Sequence, residues 1–421
     1  MKKMKFVALM LTVLMTVGLM ASCQVGNTYV DAAGDTDAVN VLDKDQQVEV
    51  PYTGAPKPGK IVYTKDPAYA NQGNGGSSGG DESTGGDESN GGDESNGGDE
   101  SNGGDDSSSG ETDYSSLKDD TSGTALRLMS QNIRTGSSLT GTGDGEDNQI
   151  GLRRYRFKAL VEKYDPDIIC TQEVTPLWIQ QFEALLPDYD MVYKMRSDKS
   201  KEATPVHWKK DRFELVKYEH FWLSPTPDVE SGCYGEKEAN GIPGRITTEV
   251  TLKEKSTGLQ FTVTSTHWGL GGGAVVRGCG NQLAERMAKL PQGSYGFTMG
   301  DFNDSYRSND YFTYMDMVRW VDLRDIATEM ADYDLCEMGD MNGTFSGFNA
   351  ANANGSGNFI DHIMAKPNKK MAVDFYGVLY DAMDDPANNV NAGFVSDHFA
   401  VLCDVRINTS KSYADFYGEV G

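Results

Sequence analysis

Histidine is scarce in this chain: five among 421 residues, at positions 207, 220, 267, 362 and 398. No His/Cys spacing forms a zinc site. No Gly-rich loop opens a helix to cradle a nucleotide, and no Gly-x-Ser-x-Gly presents a nucleophilic serine. Positive charge is also short. The 38 Lys and Arg face 63 Asp and Glu, for a net charge of -25, and acids still outnumber bases beyond residue 113. That argues against tight non-specific binding to nucleic acid, although a local basic cleft is compatible with an acidic exterior. No long apolar run follows residue 20, so the sequence offers no later membrane-spanning segment.

The one apolar run stands at the start. Three lysines lie within residues 1–5, followed by apolar residues 6–20 and then Ala21-Ser22-Cys23. This is the pattern of a signal peptide over residues 1–22, too short for a spanning helix of ~20 apolar residues. Leu19-Met20-Ala21-Ser22-Cys23 resembles a bacterial lipobox. The resemblance implies an acylated Cys23 at the start of the mature protein, which would be exported and tethered to the cell envelope.

Residues 23–113 contain little that could form a core, and Gly-Gly-Asp-Glu-Ser-Asn recurs with a six-residue period between Gly79 and Asp106. Without an apolar position to stack, such a repeat is a low-complexity spacer. Gly and Ser make it flexible, and the Asp-Glu pairs repel one another. It lacks the ligand spacing of a calcium loop. Of six cysteines, five remain beyond Cys23, an odd number in an oxidising compartment. Cys170 and Cys403 sit in apolar strand-like runs and read as buried thiols. Cys233 and Cys279, in Gly-flanked stretches, are the one pair considered for a disulfide.

Residues 114–421 suffice for one large domain. Residues 125–134 alternate like a strand, with Asn132 and Arg134 on one face. Leu152 to Tyr164 has helical spacing and stops at Asp165-Pro166. Residues 167–173 read as a buried strand ending in Glu173, and Thr175-Pro176 opens a helix to about Leu186. Strand-like runs follow at 189–195, 204–208, 214–223, 245–252 and 260–266, the last ending at His267. A helix is expected over 281–290, before Pro291.

Residues 297–304, Phe-Thr-Met-Gly-Asp-Phe-Asn-Asp, then carry Asp301 and Asn303 two positions apart at the end of an apolar run. On a strand these two share a face while Phe302 points inward, and Gly300 permits close backbone approach. A carboxylate beside an amide suits phosphoester hydrolysis: the acid orients or deprotonates water, and the amide donates to charged oxygens. Two late strands are expected to end in Ile360-Asp361-His362 and Ser396-Asp397-His398. Asn132, Glu173, His267, Asp301, Asn303, Asp361, Asp397 and His398 thus gather at strand ends. They supply hard oxygen ligands, imidazoles, and a carboxylate to orient one of them.

In their order, Gln131-Asn132-Ile133-Arg134, Thr171-Gln172-Glu173, Ser265-Thr266-His267, Gly300-Asp301-Phe302-Asn303, Ile360-Asp361-His362-Ile363 and Ser396-Asp397-His398 resemble the motifs of the endonuclease/exonuclease/phosphatase superfamily, of deoxyribonuclease I-like fold. The resemblance covers nearly all of the chain after the spacer. It implies an α/β four-layer sandwich, two packed mixed or antiparallel β-sheets flanked by helices. It implies a Mg²⁺-dependent phosphoesterase, with Mn²⁺ or Ca²⁺ as alternatives, in which Glu173, Asn132 and Asp397 hold metal. His398 then acts as general acid or base oriented by Asp361. Asp301 and Asn303 position nucleophile and phosphate, and His267 contacts phosphate oxygens. Arg134, Asn132 and Trp268 are expected to contact substrate.

A phosphodiesterase is favoured over a monoesterase, acting as a monomer on nucleic acid or a phospholipid headgroup. The alternatives are a sphingomyelinase-type phospholipase C, an inositol-phosphate phosphatase, and a surface binding lipoprotein that keeps the fold without catalysis.

Overall fold

The computed structural model describes residues 120–234, 244–270, 272–306, 308, 311, 314–315, 319–330, 343–349 and 359–413, and the backbone of 28–29 and 37–40. The leader, Cys23 and most of the spacer lie outside the described residues. Strands β1 (Thr28–Tyr29) and β2 (Asp37–Asn40) come from within the spacer. The expectation that residues 23–113 are unstructured is corrected at these two strands: β2 pairs antiparallel with residues 192–194.

The domain proper opens with β3 (Thr124–Asn132), helix α1 (Ile150–Tyr164), β4 (Ile168–Gln172) and helix α2 (Pro176–Leu185). Then come β5 (Tyr189–Lys194), β6 (Val206–Lys209), β7 (Phe213–Trp222), β8 (Ile246–Glu254) and β9 (Gln260–His267). Helix α3 (Gly273–Lys289) leads to β10 (Tyr295–Asp301), β11 (Val321–Asp322) and helix α4 (Leu323–Met330). The chain closes with β12 (Asp361–Ala365), β13 (Met371–Leu379), β14 (Met383–Asp385), β15 (Val390–Gly393) and β16 (Ala400–Ile407).

Two mixed sheets result, in the orders β1-β2-β5-β6-β4-β3-β16-β13 and β11-β12-β10-β9-β8-β7, as the four-layer expectation has it. The period-2 pattern of the strands explains their packing. In β3, Leu126 and Leu128 face the core between the sheets, where they join Val250, Val263, Phe297 and Met299. Met129, one residue on, faces the other way, into a core with Phe157 and Leu160 of α1 and Trp178 and Phe182 of α2. Neighbouring Ile169 and Cys170 of β4 divide between the same two cores. Both faces of the central strands are buried, so they read as continuous apolar runs.

Strand direction decides where the site forms. Strands β3 and β4 are parallel, and so are β9 and β10, so Asn132, Glu173, His267 and Asp301 all emerge at one end of the sandwich. Strand β12 runs antiparallel to β10 with Asp361 opposite Asp301, and β16 runs antiparallel to β3. This corrects the reading of the two late motifs as strand ends. Asp361 begins β12, and Asp397-His398 precede β16; reversed direction brings them to the same end as the others.

Two local departures and one expectation that holds have physical causes. Helix α3 begins eight residues before the expected Asn281, directly after Gly272. Its internal glycines explain why the pattern hid it: a Cβ at Gly278 would meet the Tyr234 ring at 2.3 Å, and one at Gly280 the Tyr314 ring at 2.6 Å. Thr175 stands at the N-cap of α2 but does not cap it; its hydroxyl donates to Gly136 O at 2.7 Å, and proline supplies the first turn. At Gly300, a Cβ would stand 1.9 Å from Thr266 O, so glycine is what lets β10 approach β9.

Cys170, Cys233, Cys279 and Cys403 are buried thiols outside any disulfide, and the Cys233 and Cys279 sulfurs lie 3.4 Å apart. Among the described residues no helix is long and apolar enough to cross a membrane.

Candidate active site

Three non-glycine residues in the left-handed region turn the backbone as it leaves the strands: Arg134 after β3, Glu173 after β4 and Asn303 after β10, with φ of 57°, 59° and 48°. Each such residue costs ~1–2 kcal/mol, and concentrated at one end of the fold they mark a place held by its surroundings.

Asn132, fully buried at the end of β3, is the hub. Its amide nitrogen donates to Glu173 Oε1 at 3.2 Å and Asp301 Oδ2 at 3.0 Å, while its oxygen accepts the Arg134 N–H at 3.0 Å. One neutral amide therefore bridges two carboxylates from the two sheets. The other Glu173 oxygen accepts the Thr135 N–H at 2.8 Å.

Around Asp301 Oδ2 stand both expected histidines, His267 Nε2 at 3.5 Å and His398 Nε2 at 3.7 Å. His398 Nδ1 lies 2.8 Å from Asp361 Oδ2, the expected pairing. The other Asp361 oxygen is buried without a hydrogen-bond partner. Asp301, Asp361 and His398 offer three ligand atoms within 4.8 Å of one another. The trio differs from the expected metal set of Glu173, Asn132 and Asp397. Asp397 instead lies with Oδ2 3.6 Å from Arg134 Nε and Oδ1 3.1 Å from the Ser396 hydroxyl.

Burial and charge tune these groups in opposite directions. Burial disfavours a charged His398, but Asp361, then Asp301 and Asp397, outweigh it and raise its pKa to about 10. Burial, and next the Asp361 charge, raise Asp301 to about 6. Burial also holds His267 well below the imidazole range, and Arg245, Arg196 and His398 push the same way. Asp397 is raised by burial, with Glu173 adding to the rise while His398 and Arg134 oppose it.

Two expected site residues are placed otherwise. Trp268 is fully buried, stacked on Phe302 at 4.1 Å between ring centroids, with Trp320 beyond, so it cannot touch substrate. A tryptophan beside the His267 motif suggests a cleft residue; its neighbours claim it for the core. Asn303 does not extend β10 to share a face with Asp301. Its left-handed backbone turns its N–H to Asp301 Oδ1 at 2.9 Å, and its amide donates to Trp268 O at 2.9 Å. Phe302 points inward as expected. His362 faces away from the site, its ring between Asp322 Oδ2 at 3.3 Å and Asp304 O at 3.0 Å.

Two arginines went unread. Arg245, just before β8, places Nη1 3.1–3.2 Å from the His267 ring nitrogens. Arg153 of α1, 1% exposed, donates to Ile133 O at 2.5 Å and Asn148 O at 2.7 Å, and reaches Val395 O at 3.5 Å. It ties the loop after β3 to the segment leading into Asp397-His398. An arginine on a helix otherwise spaced for burial was the available signal.

The motif spacing and this geometry agree with comparison to known proteins. Residues 129–398 match the model of the Endonuclease/Exonuclease/phosphatase family. No curated protein matches the chain. Among solved structures, a family protein from Bacteroides thetaiotaomicron is 28% identical with a TM-score of 0.56, over 68% of this chain and 99% of its own. A mannosyl-6-phosphatase from Bacteroides thetaiotaomicron VPI-5482 is 29% identical with a TM-score of 0.55, over 66% and 99%. A family protein from Bacteroides vulgatus shares the fold at 23% identity and a TM-score of 0.51, over 68% and 99%. With that match running from the end of β3 to His398, across every one of the gathered polar residues, the chain belongs to the endonuclease/exonuclease/phosphatase family of phosphoester hydrolases.

Proposed function

We propose that the protein is an exported, divalent-metal-dependent phosphoester hydrolase, anchored to the cell envelope through Cys23, with its chemistry at the Asp301–His398 end of the sandwich. The observation that carries this is the convergence of Asp301 Oδ2 with two imidazoles, one of them held by a buried carboxylate.

The donor chemistry fits a hard cation. Glu173 lies near enough for its charge to add to the rise of the Asp397 carboxyl, a repulsion that a divalent ion would relieve. Those two acids, with Asn132 beside them, would hold Mg²⁺. His398 is left out of that set because its pKa, raised to about 10, keeps the imidazole protonated, with no lone pair for a metal. When bound, the metal supplies charge neutralisation on the phosphate oxygens.

The chain's own groups do the rest. Asp301, with a pKa of about 6, is ionised at neutral pH yet basic enough to accept a proton from water. Asp361 accepts from His398 Nδ1 and helps hold the imidazole protonated, its pKa raised to about 10, so that Nε2–H donates toward phosphate or leaving group. His267, kept uncharged and contacted by Arg245, orients Asp301 and offers a neutral hydrogen bond. Arg134, half exposed beside Asp397, is the cation placed to meet an incoming phosphate.

A second reading of the substrate, a phosphomonoester instead of a diester, is favoured by the 29% identity to a mannosyl-6-phosphatase. The test is a panel of bis(p-nitrophenyl) phosphate, p-nitrophenyl phosphate, plasmid DNA and sphingomyelin vesicles, each with Mg²⁺ and with EDTA. Hydrolysis abolished by EDTA and restored by Mg²⁺ supports the reading. Turnover of none of them, with ligand binding retained, would instead favour a binding lipoprotein.

A further inference from the structure

An irregular segment, residues 343–349, runs behind both halves of the Asp361–His398 pair, and its Thr344 and Ser346 are fully buried. The ladder between β11 and β12 ends at Met364, short of Asp361. Beyond it the Thr344 hydroxyl supplies the acceptor, taking the N–H groups of Ile360 and Asp361 at 3.1 Å each. The Thr344 carbonyl accepts the N–H of Phe399, the residue after His398, at 2.7 Å. Phe345 bridges to His398 in strand fashion, its ring 5.1 Å from the imidazole between centroids. The Ser346 N–H and hydroxyl both donate to Asp397 O, at 2.7 and 3.0 Å. One residue thus touches the backbone at Asp361 and beside His398, while its neighbours brace the rest of the motif.

Asp361 needs such support. Its Oδ1 has no hydrogen-bond partner, so among the described residues the contact with His398 Nδ1 is the one hydrogen bond its carboxylate makes. Asp301 stands directly across the ladder, and the two carboxylates repel. A side chain held at one point against that repulsion takes its aim from its own backbone. Aim matters here, because a displacement of ~1 Å in a reacting group can cost about 10²-fold in rate.

We infer that Thr344 is a positioning residue for the reaction, its hydroxyl and carbonyl holding Asp361 and His398 in register so that the imidazole stays aimed at Asp301. The inference rests on the phosphoester-hydrolase reading and the roles it gives to that pair, and adds a residue that touches neither substrate nor metal. The hydroxyl oxygen is the essential atom. An apolar side chain of the same shape offers the two N–H groups no acceptor, and the start of β12 then shifts to find others.

The test uses whichever nitrophenyl phosphoester the wild type hydrolyses faster. Thr344→Val keeps the branched shape and removes the acceptor; Thr344→Ser keeps the acceptor. The valine variant should lower kcat about tenfold, with KM and the Mg²⁺ concentration for half-maximal activity within about threefold of wild type. The serine variant should keep kcat within about threefold of wild type. Made in a His398→Ala background, Thr344→Val should cost less than about twofold, because the pair it aligns is already broken. If valine prevents folding, Thr344→Cys, with a weakly accepting sulfur, takes its place under the same criteria. A loss by the same factor with and without His398, or a wild-type kcat in the valine variant, overturns the positioning role alone. No hydrolysis of any phosphoester by the wild type overturns the hydrolase reading and the positioning role with it.

Discussion

His398 Nδ1 and Asp361 Oδ2 meet at 2.8 Å, the carboxylate fully buried at the start of β12 and the imidazole just before β16. Because a carboxylate accepts only, Nδ1 must carry the proton and Nε2 is turned toward Asp301. Asp361→Asn offers an amide that can donate to Nδ1 and favour the opposite tautomer. We expect kcat to fall about 10²-fold or more, the range of general acid–base catalysis, with the thermal midpoint little changed. Steady-state rates beside a thermal melt check this.

Glu173→Gln should act on metal and not on proton transfer. Removing a charged hard ligand weakens Mg²⁺ binding, so the Mg²⁺ concentration for half-maximal activity should rise at least tenfold. At saturating metal much of kcat should return. A metal titration that overlays the wild type would remove Glu173 from the metal set.

Asp301 gives the acid limb of the pH profile. Its carboxyl is raised to about 6, so the base form is present above that pH and lost as pH falls through it. In the free enzyme, kcat/KM should therefore drop about tenfold per unit below pH 6. Asp301→Asn should lower the rate and abolish that limb; a limb surviving in the variant would assign it to another group.

His207 supplies a pH dependence of stability away from the chemistry. It is buried in β6, bonded to the Thr171 hydroxyl at 3.0 Å and edge-on to Phe182, and burial lowers its pKa to about 3. The unfolded chain takes the proton near 6.5 and the fold resists it until about 3. Stability is therefore fully present above pH 6.5 and falls by about 1.4 kcal/mol per unit as pH drops below that. Denaturant melts from pH 7 to pH 5 should show the slope, and His207→Gln should lose one proton's share of it.

Much of this was legible in the sequence because strand-end chemistry leaves short fixed words. Asn132, Glu173, His267, Asp301, Asp361 and His398 all reach one end of the sandwich. What sequence could not give was direction. Asp361 and His398 sit at strand starts, and only the antiparallel pairing of β12 with β10 and β16 with β3 brings them round. Side-chain aim was equally hidden. Trp268 follows His267 yet turns into an aromatic stack, and Asn303 leaves the strand plane through a left-handed residue. Arg245 and Arg153 carry no motif; their roles come from neighbours distant in sequence.

The central claim, that acid–base chemistry lies on the face of β12 that Asp361 presents, is tested most directly by comparing His398→Ala with His362→Ala on bis(p-nitrophenyl) phosphate. His362 adjoins Asp361 but points to the opposite face, where its removal takes the imidazole from the buried Asp322, which keeps the Tyr311 hydroxyl and the Arg324 N–H. That variant should lose about 3 kcal/mol of stability while, below its melting temperature, keeping kcat within a few-fold of wild type. His398→Ala should lose kcat by about 10²-fold or more and stay folded. Equal losses of kcat in the two variants would contradict the assignment.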